Sequence, residues 1–272
     1  MSDSHLVIVP GADRQFREAL RKRQLHLPVL PRVAAMVIQL TSDDNADATQ
    51  LARLIQGDPA LASNVMKMAN SPAYRPSVPF VSLQQAIARL GMTTVSEIAL
   101  ATSLNADLFD VRGHEYELTR YWQASLRRSA WARELARMRK TNVEASFIAG
   151  LLSYIGQPVV LQGVSVLQLM TGNLPGFVDK WYVEAGLALA TTWELPAVVI
   201  ESISQHQMEV PTGPFREEIL NVIAASVLVG ADNDPGALPE NLLAELNFYA
   251  DDLEKIASLG TSVDEWAGAI AG

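Results

Sequence analysis

The sequence predicts an all-α protein built as two closely packed helical lobes. Apolar residues recur at i, i+3, i+4 and i+7 along almost the whole chain, and turn-forming residues fall at the joints between those stretches. The stretch Leu6 to Val9 is the lone strand candidate.

Val33, Met36, Val37 and Leu40 give the first helix one buried face. Leu51, Leu54 and Ile55 mark a second, and Gly57 can end it because glycine adopts the left-handed conformation that follows a last turn. Asp58 and Pro59 then open a third helix carrying Leu61, Val65 and Met68. The carboxylate can accept from the free N–H groups of the first turn, and proline lacks only a donor that had no partner there.

The run Asn70, Ser71, Pro72 breaks the pattern, and a loop through Pro76 and Pro79 reaches Ser82, with Gln85 at capping-box spacing. Ile87 and Leu90 lie on the next helix. Gly91 closes it, and Thr94 with Glu97 repeats the capping-box spacing before Val95, Ile98 and Ala99. A long amphipathic helix is expected from about 115 to 140. Further helices are expected near 143 to 154, 157 to 171, 176 to 193, 196 to 207, 215 to 230, 239 to 258 and 263 to 271. The joint between lobes is placed near 105 to 115, which divides the chain into an extension over 1–26, a first lobe over 27–110 and a second over 111–272.

Composition narrows the chemistry. With 272 residues, 49% of them hydrophobic, the chain can bury a sizeable core. No cysteine is present, so disulfides, thiolate catalysis and cysteine-bound metal are excluded. No uninterrupted apolar run approaches the roughly 18 residues of a membrane helix, and the start has no signal-peptide pattern, so a cytoplasmic protein with no membrane partner is expected. A net charge of -9 argues against a nucleic-acid partner. The densest basic stretch, Arg127, Arg128, Arg133, Arg137, Arg139 and Lys140, reads as the solvated face of one helix. An acidic partner is the alternative, with Arg133 and Arg137 as its candidate contacts.

The stretch LIQGDPALASNVMKMANSPAY, followed by VSLQQAIARLGMTTVSEIAL, resembles the HDOD family, a bacterial relative of the HD-domain phosphohydrolases. The likeness rests on DPAL, ANSPAY, a Ser-x-x-x-Ala-Ile turn and a Leu-Gly helix end, and runs from about Leu27 to at least His206. It implies a helical lobe packed on a bundle like that of the phosphohydrolases. It also implies a regulatory module of bacterial signal transduction, acting on signalling proteins and linked to cyclic dinucleotide or two-component pathways.

The resemblance also says where catalysis would sit. HD enzymes hold a divalent metal with a first histidine, a His-Asp pair and a later aspartate. Here those positions carry Ala124, Ser153 with Tyr154, and Ser226. Tyr182 stands where many relatives have a further histidine, and His206 alone matches a family histidine, with Gln207 replacing its usual neighbour. A methyl, two hydroxyls and a phenol do not supply imidazole and carboxylate, so no metal, no cofactor and no enzymatic activity are expected. A metal-dependent phosphohydrolase with rearranged ligands is the alternative, and needs Asp179 or Glu184 to converge with His206. Asn70 and Ser71 read first as a helix end and otherwise as the lining of a partner-binding groove. Tyr154 is expected to fill the cavity that the metal would occupy, and Tyr121, Trp122, Trp131, Trp181 and Trp193 to be core.

Overall fold

A computed structural model describes residues 10–40, 48–74, 77–104, 108–169 and 171–271. Among these the regular structure is helical and includes no strand, while the strand candidate over 6–9, His5 and Pro76 lie outside the described residues.

The first lobe contains α2 (Arg32–Leu40), α3 (Ala48–Gly57), α4 (Pro59–Ala69) and α5 (Leu83–Ser103), preceded by α1 (Pro10–Arg21). The caps expected at α4 and α5 form. Asp58 accepts from the Ala60 and Leu61 N–H groups at 3.0 Å each, and Ser82 accepts from Gln85 N at 3.3 Å. Gly91, with φ of 81°, kinks α5 where the sequence placed a helix end. The expected second capping box fails there. Helical geometry resumes directly after Gly91, and Glu97 is buried against Arg133 of the next helix at 3.0 Å instead of capping its own.

The second lobe comprises α6 (Glu115–Arg139), α7 (Val143–Leu152), α8 (Gly156–Val166), α9 (Leu174–Thr192), α10 (Ala197–Gln205), α11 (Arg216–Gly230), α12 (Glu240–Leu246) and α13 (Ala250–Ala271). Here α6 packs on α7, α11 and α13, α8 on α9, and α10 touches α7, α9 and α11. The helical stretch 143–166 is long and apolar enough to cross a membrane, but it is 89% buried inside the protein. The break expected near 259–262 lies instead at Asn247, whose φ of 56° ends α12. Glycine at 260 does not stop α13, because its missing side chain admits Asn233: a Cβ there would lie 3.1 Å from the Asn233 Cβ.

Buried contacts run between the lobes. Tyr74, in the loop after α4, accepts from Trp266 Nε1 of α13 at 3.1 Å, and Arg133 of α6 donates to Glu97 of α5 at 3.0 Å. The described part of the extension, residues 10–26, is structured too. On α1, Ala12, Phe16, Ala19 and Leu20 form a buried stripe. Phe16 meets Phe177 and Trp181 of α9, each at 5.5 Å, while Asp13 bonds Lys180 and Trp181 at 2.7 Å. Trp131, Trp181 and Trp193 are buried, and Tyr121 and Trp122 are half-buried against the same core.

Candidate functional site

The segment AGLLSYIGQ forms the corner between α7 and α8. Two glycines press this corner into its neighbours: a Cβ on Gly150 would lie 2.9 Å from the Ser129 Cα of α6, and one on Gly156 only 1.8 Å from the Tyr182 carbonyl oxygen of α9. Main chain therefore touches main chain, which only glycine permits. Ser153 is fully buried at this corner, and Tyr154, half-buried, turns into the space between α6, α9 and the end of α10.

Tyr154 is the centre of an aromatic cluster. Its ring is stacked on Tyr182, with centres 5.3 Å apart and planes 4° from parallel, and its centre is 4.3 Å from that of His206. The Arg128 guanidinium carbon sits 3.7 Å from the Tyr154 ring centre, within cation–π range. Arg128 Nε donates to Ser226 Oγ at 3.0 Å, and Ser226 Oγ donates to Val222 O at 2.8 Å. Ala124 is one helical turn before Arg128 on α6 and so shares its face.

The hydrogen bonds fix the state of the histidine. His206 Nδ1 lies 2.8 Å from Ser202 O, which can only accept, so Nδ1 carries the proton. Nε2 then accepts from the Tyr182 hydroxyl at 2.7 Å, and Gln207 Nε2 donates to the same hydroxyl oxygen. Burial, with the Arg128 charge adding to it, lowers the His206 pKa to about 4 against the opposing Ser202 bond. Burial also raises that of Tyr182, and Tyr154 adds to the rise. At neutral pH the chain Gln207, Tyr182, His206 and the Ser202 carbonyl is uncharged, while the buried Ser202 hydroxyl has no hydrogen-bond partner among the described residues.

These residues do not fit a divalent metal. The positions that the family resemblance assigns to ligands carry Ala124, Ser153, Tyr154 and Ser226, His206 spends both ring nitrogens on hydrogen bonds, and a guanidinium occupies the neighbourhood. Among the described residues no three histidine, aspartate or glutamate side chains assemble, and Asp179 and Glu184 are exposed.

The family model of the HDOD domain matches residues 27–169, just over half of the chain. This chain belongs to the HDOD family. The HDOD fold is shared by solved structures. A candidate metal-dependent phosphohydrolase from Shewanella amazonensis SB2B is 21% identical, with a TM-score of 0.75 over 96% of this chain and 100% of that one. An HDOD domain protein of unknown function from Geobacter sulfurreducens is also 21% identical, with a TM-score of 0.67 over 96% and 98%. A candidate signal transduction protein from Marinobacter aquaeolei VT8 is 19% identical, with a TM-score of 0.70 over 98% and 67%. Among curated proteins, an uncharacterised protein of Treponema pallidum (strain Nichols) is 24% identical over 195 residues, 66% of this chain and 37% of that protein. A ribonuclease Y of Latilactobacillus sakei is 27% identical over 182 residues, 66% and 31%. The HDOD chain thus spans about a third of the length of these curated relatives.

The arginine run of this HDOD chain is not the solvated face its spacing suggested. Arg128 and Arg133 are buried, as is the side chain of Arg139. Arg133 is held between Glu97 and Glu134 at 3.0 Å each, and Arg139 pairs with Glu217. The reason is the position of α6, which lies central to the second lobe, so arginines on several sides meet other helices. Arg133 is therefore withdrawn as a partner contact, whereas Arg137 remains exposed, with Glu134 beside it at 2.9 Å.

Asn70 ends α4 and also pins the following loop. Its Nδ2 donates to Met66 O and Phe80 O at 3.1 Å each, and its Oδ1 accepts from Phe80 N at 2.7 Å. Ser71 is buried against Met68, so it lines no open groove. Sequence reasoning missed Arg128. The available signal was its position four residues after Ala124, on the face of α6 to which the family resemblance assigns a ligand.

Proposed function

We propose that this chain is a non-catalytic regulatory module of bacterial signal transduction, cytoplasmic, acting by protein–protein contact in a cyclic dinucleotide or two-component pathway. The single observation that carries this reading is the fate of the metal site. Tyr154, at a position the family resemblance assigns to a metal ligand, stacks with the Arg128 guanidinium, and His206 is locked neutral in a hydrogen-bonded chain. A water-derived nucleophile has nothing here to generate it. The signalling assignment is supported by family membership.

Contact with a partner is supported by the loop that Asn70 pins. Val78 and Val81 on that loop are 73% and 82% exposed, an apolar offering beside the end of α4. Arg137 adds an exposed charge on α6. The test is cross-linked co-purification from the native host with wild type and with a Val78→Asp, Val81→Asp double variant. A defined protein partner held by wild type and lost by the variant supports the reading. Identical recovery from both would remove this loop from the interface.

A further inference from the structure

Three arginines of α6 have buried side chains, and two of them are neutralised: Arg133 by Glu97 and Glu134, Arg139 by Glu217. Arg128 is the exception. It keeps 6% of its surface, and among the described residues it forms no ion pair. The groups that favour its charge are two tyrosines, Tyr154 and Tyr182. Its Nε is satisfied by Ser226, but Nη1 is buried with no hydrogen-bond partner. A buried charge ordinarily has a counter-ion, and a buried donor ordinarily has an acceptor, because the cost of leaving either alone is several times that of a surface group. One ring face and one hydroxyl do not replace a counter-ion.

We propose that Arg128 is an oxyanion-binding residue and that its missing counter-ion is a small dissociable anion, with inorganic phosphate as the probe. Tyr154 and Ser226, on either side of the guanidinium, are only half-buried, so the charge lies just beneath the surface between α6, α11 and the corner of α7 and α8. With Nε engaged, the planar guanidinium keeps a buried, unpartnered Nη1 to donate to an oxygen of the anion, which reaches it as the half-buried Tyr154 or Ser226 side chain gives way. Tyr182 and Ser226 already have partners and serve as walls. The inference rests on the non-catalytic reading: the anion is held and not cleaved, and its occupancy is what the module would sense.

The test is thermal unfolding of the full chain in chloride buffer, titrated with inorganic phosphate at constant ionic strength. Wild type should gain about 2 to 3 °C once phosphate exceeds its dissociation constant about tenfold, and should keep rising with the logarithm of phosphate concentration beyond that. Arg128→Met, which removes an unpaired charge, should fold and show no phosphate shift. Ser226→Asp supplies an internal carboxylate beside the guanidinium, so it should melt higher than wild type without phosphate and lose the shift. No gain in wild type, or an undiminished gain in the variants, overturns the inference. Turnover of p-nitrophenyl phosphate by the wild type with manganese would defeat the non-catalytic reading instead, while leaving the phosphate shift to be read separately.

Discussion

Acid should unfold this protein through His206 in particular. The native state holds the ring neutral, with Nδ1 donating to Ser202, Nε2 accepting from Tyr182, and Arg128, Tyr154 and Tyr182 around it. A proton on Nε2 would turn an acceptor into a donor facing the Tyr182 oxygen, and would place a second positive charge near Arg128. The folded pKa is about 4, whereas an unfolded chain titrates near the reference value of 6.5. Because the folded value is the lower one, the unfolded state binds the proton first. Stability is complete above pH ~6.5, falls as the pH drops toward 4, and loses nothing more from this group below that. The loss reaches about 3 kcal/mol by pH 4. Urea unfolding at pH 7.0 and at several values down to pH 4.0 measures it in wild type and in His206→Gln, since the difference between the two proteins cancels the carboxylates that titrate in both. Wild type should lose about 3 kcal/mol more than the variant across this range. Equal losses in both would show that His206 is not held neutral, and would refute the hydrogen-bonded chain.

Three further outcomes follow from the packing. Gly156→Ala drives a methyl into the Tyr182 carbonyl, so it should cost about 3 kcal/mol or more in chemical denaturation and disturb the near-UV signal of the tyrosines. Glu97→Gln leaves Arg133 with Glu134 alone and should cost about 3 kcal/mol, while replacing Glu97 and Arg133 together by leucine and methionine should recover much of it in the same assay. Asn70→Ala removes three hydrogen bonds and should cost about 2 kcal/mol by urea titration, and a bulky residue at Ser71, which is buried, should lower the melting temperature as well.

Much of the fold was legible because amphipathic periodicity and caps are local signals. Asp58 and Ser82 cap as their sequences suggest, and Gly91 breaks α5 where expected. The errors arose where a distant contact overrode a local sign. A break was expected near 259–262, but Gly260 there makes room for Asn233 inside a continuous helix, and Glu97 looked like a capping residue but belongs to Arg133. The helix carrying Ala12, Phe16, Ala19 and Leu20 was not read from the sequence, which left 1–26 as an extension, and its fit against Phe177 and Trp181 shows what it covers. At the site, Ala124, Ser153, Tyr154 and Ser226 could be named against the family pattern. What replaced them could not, because Arg128 meets its partner Ser226 across 98 residues, and a buried arginine looks like a solvated one in sequence.

The most direct measurement is metal content and phosphoester turnover of the purified full chain after incubation with manganese, iron or nickel. The Arg128 and Tyr154 arrangement predicts no stoichiometric metal beside Ser153 and no hydrolysis of phosphomonoesters or cyclic dinucleotides. Restoring Ser153→His with Tyr154→Asp should still give no turnover, because Ala124 and Ser226 supply no ligand and the new carboxylate enters a packed cluster. One equivalent of metal bound at that corner of wild type, with turnover abolished by a chelator, would contradict it.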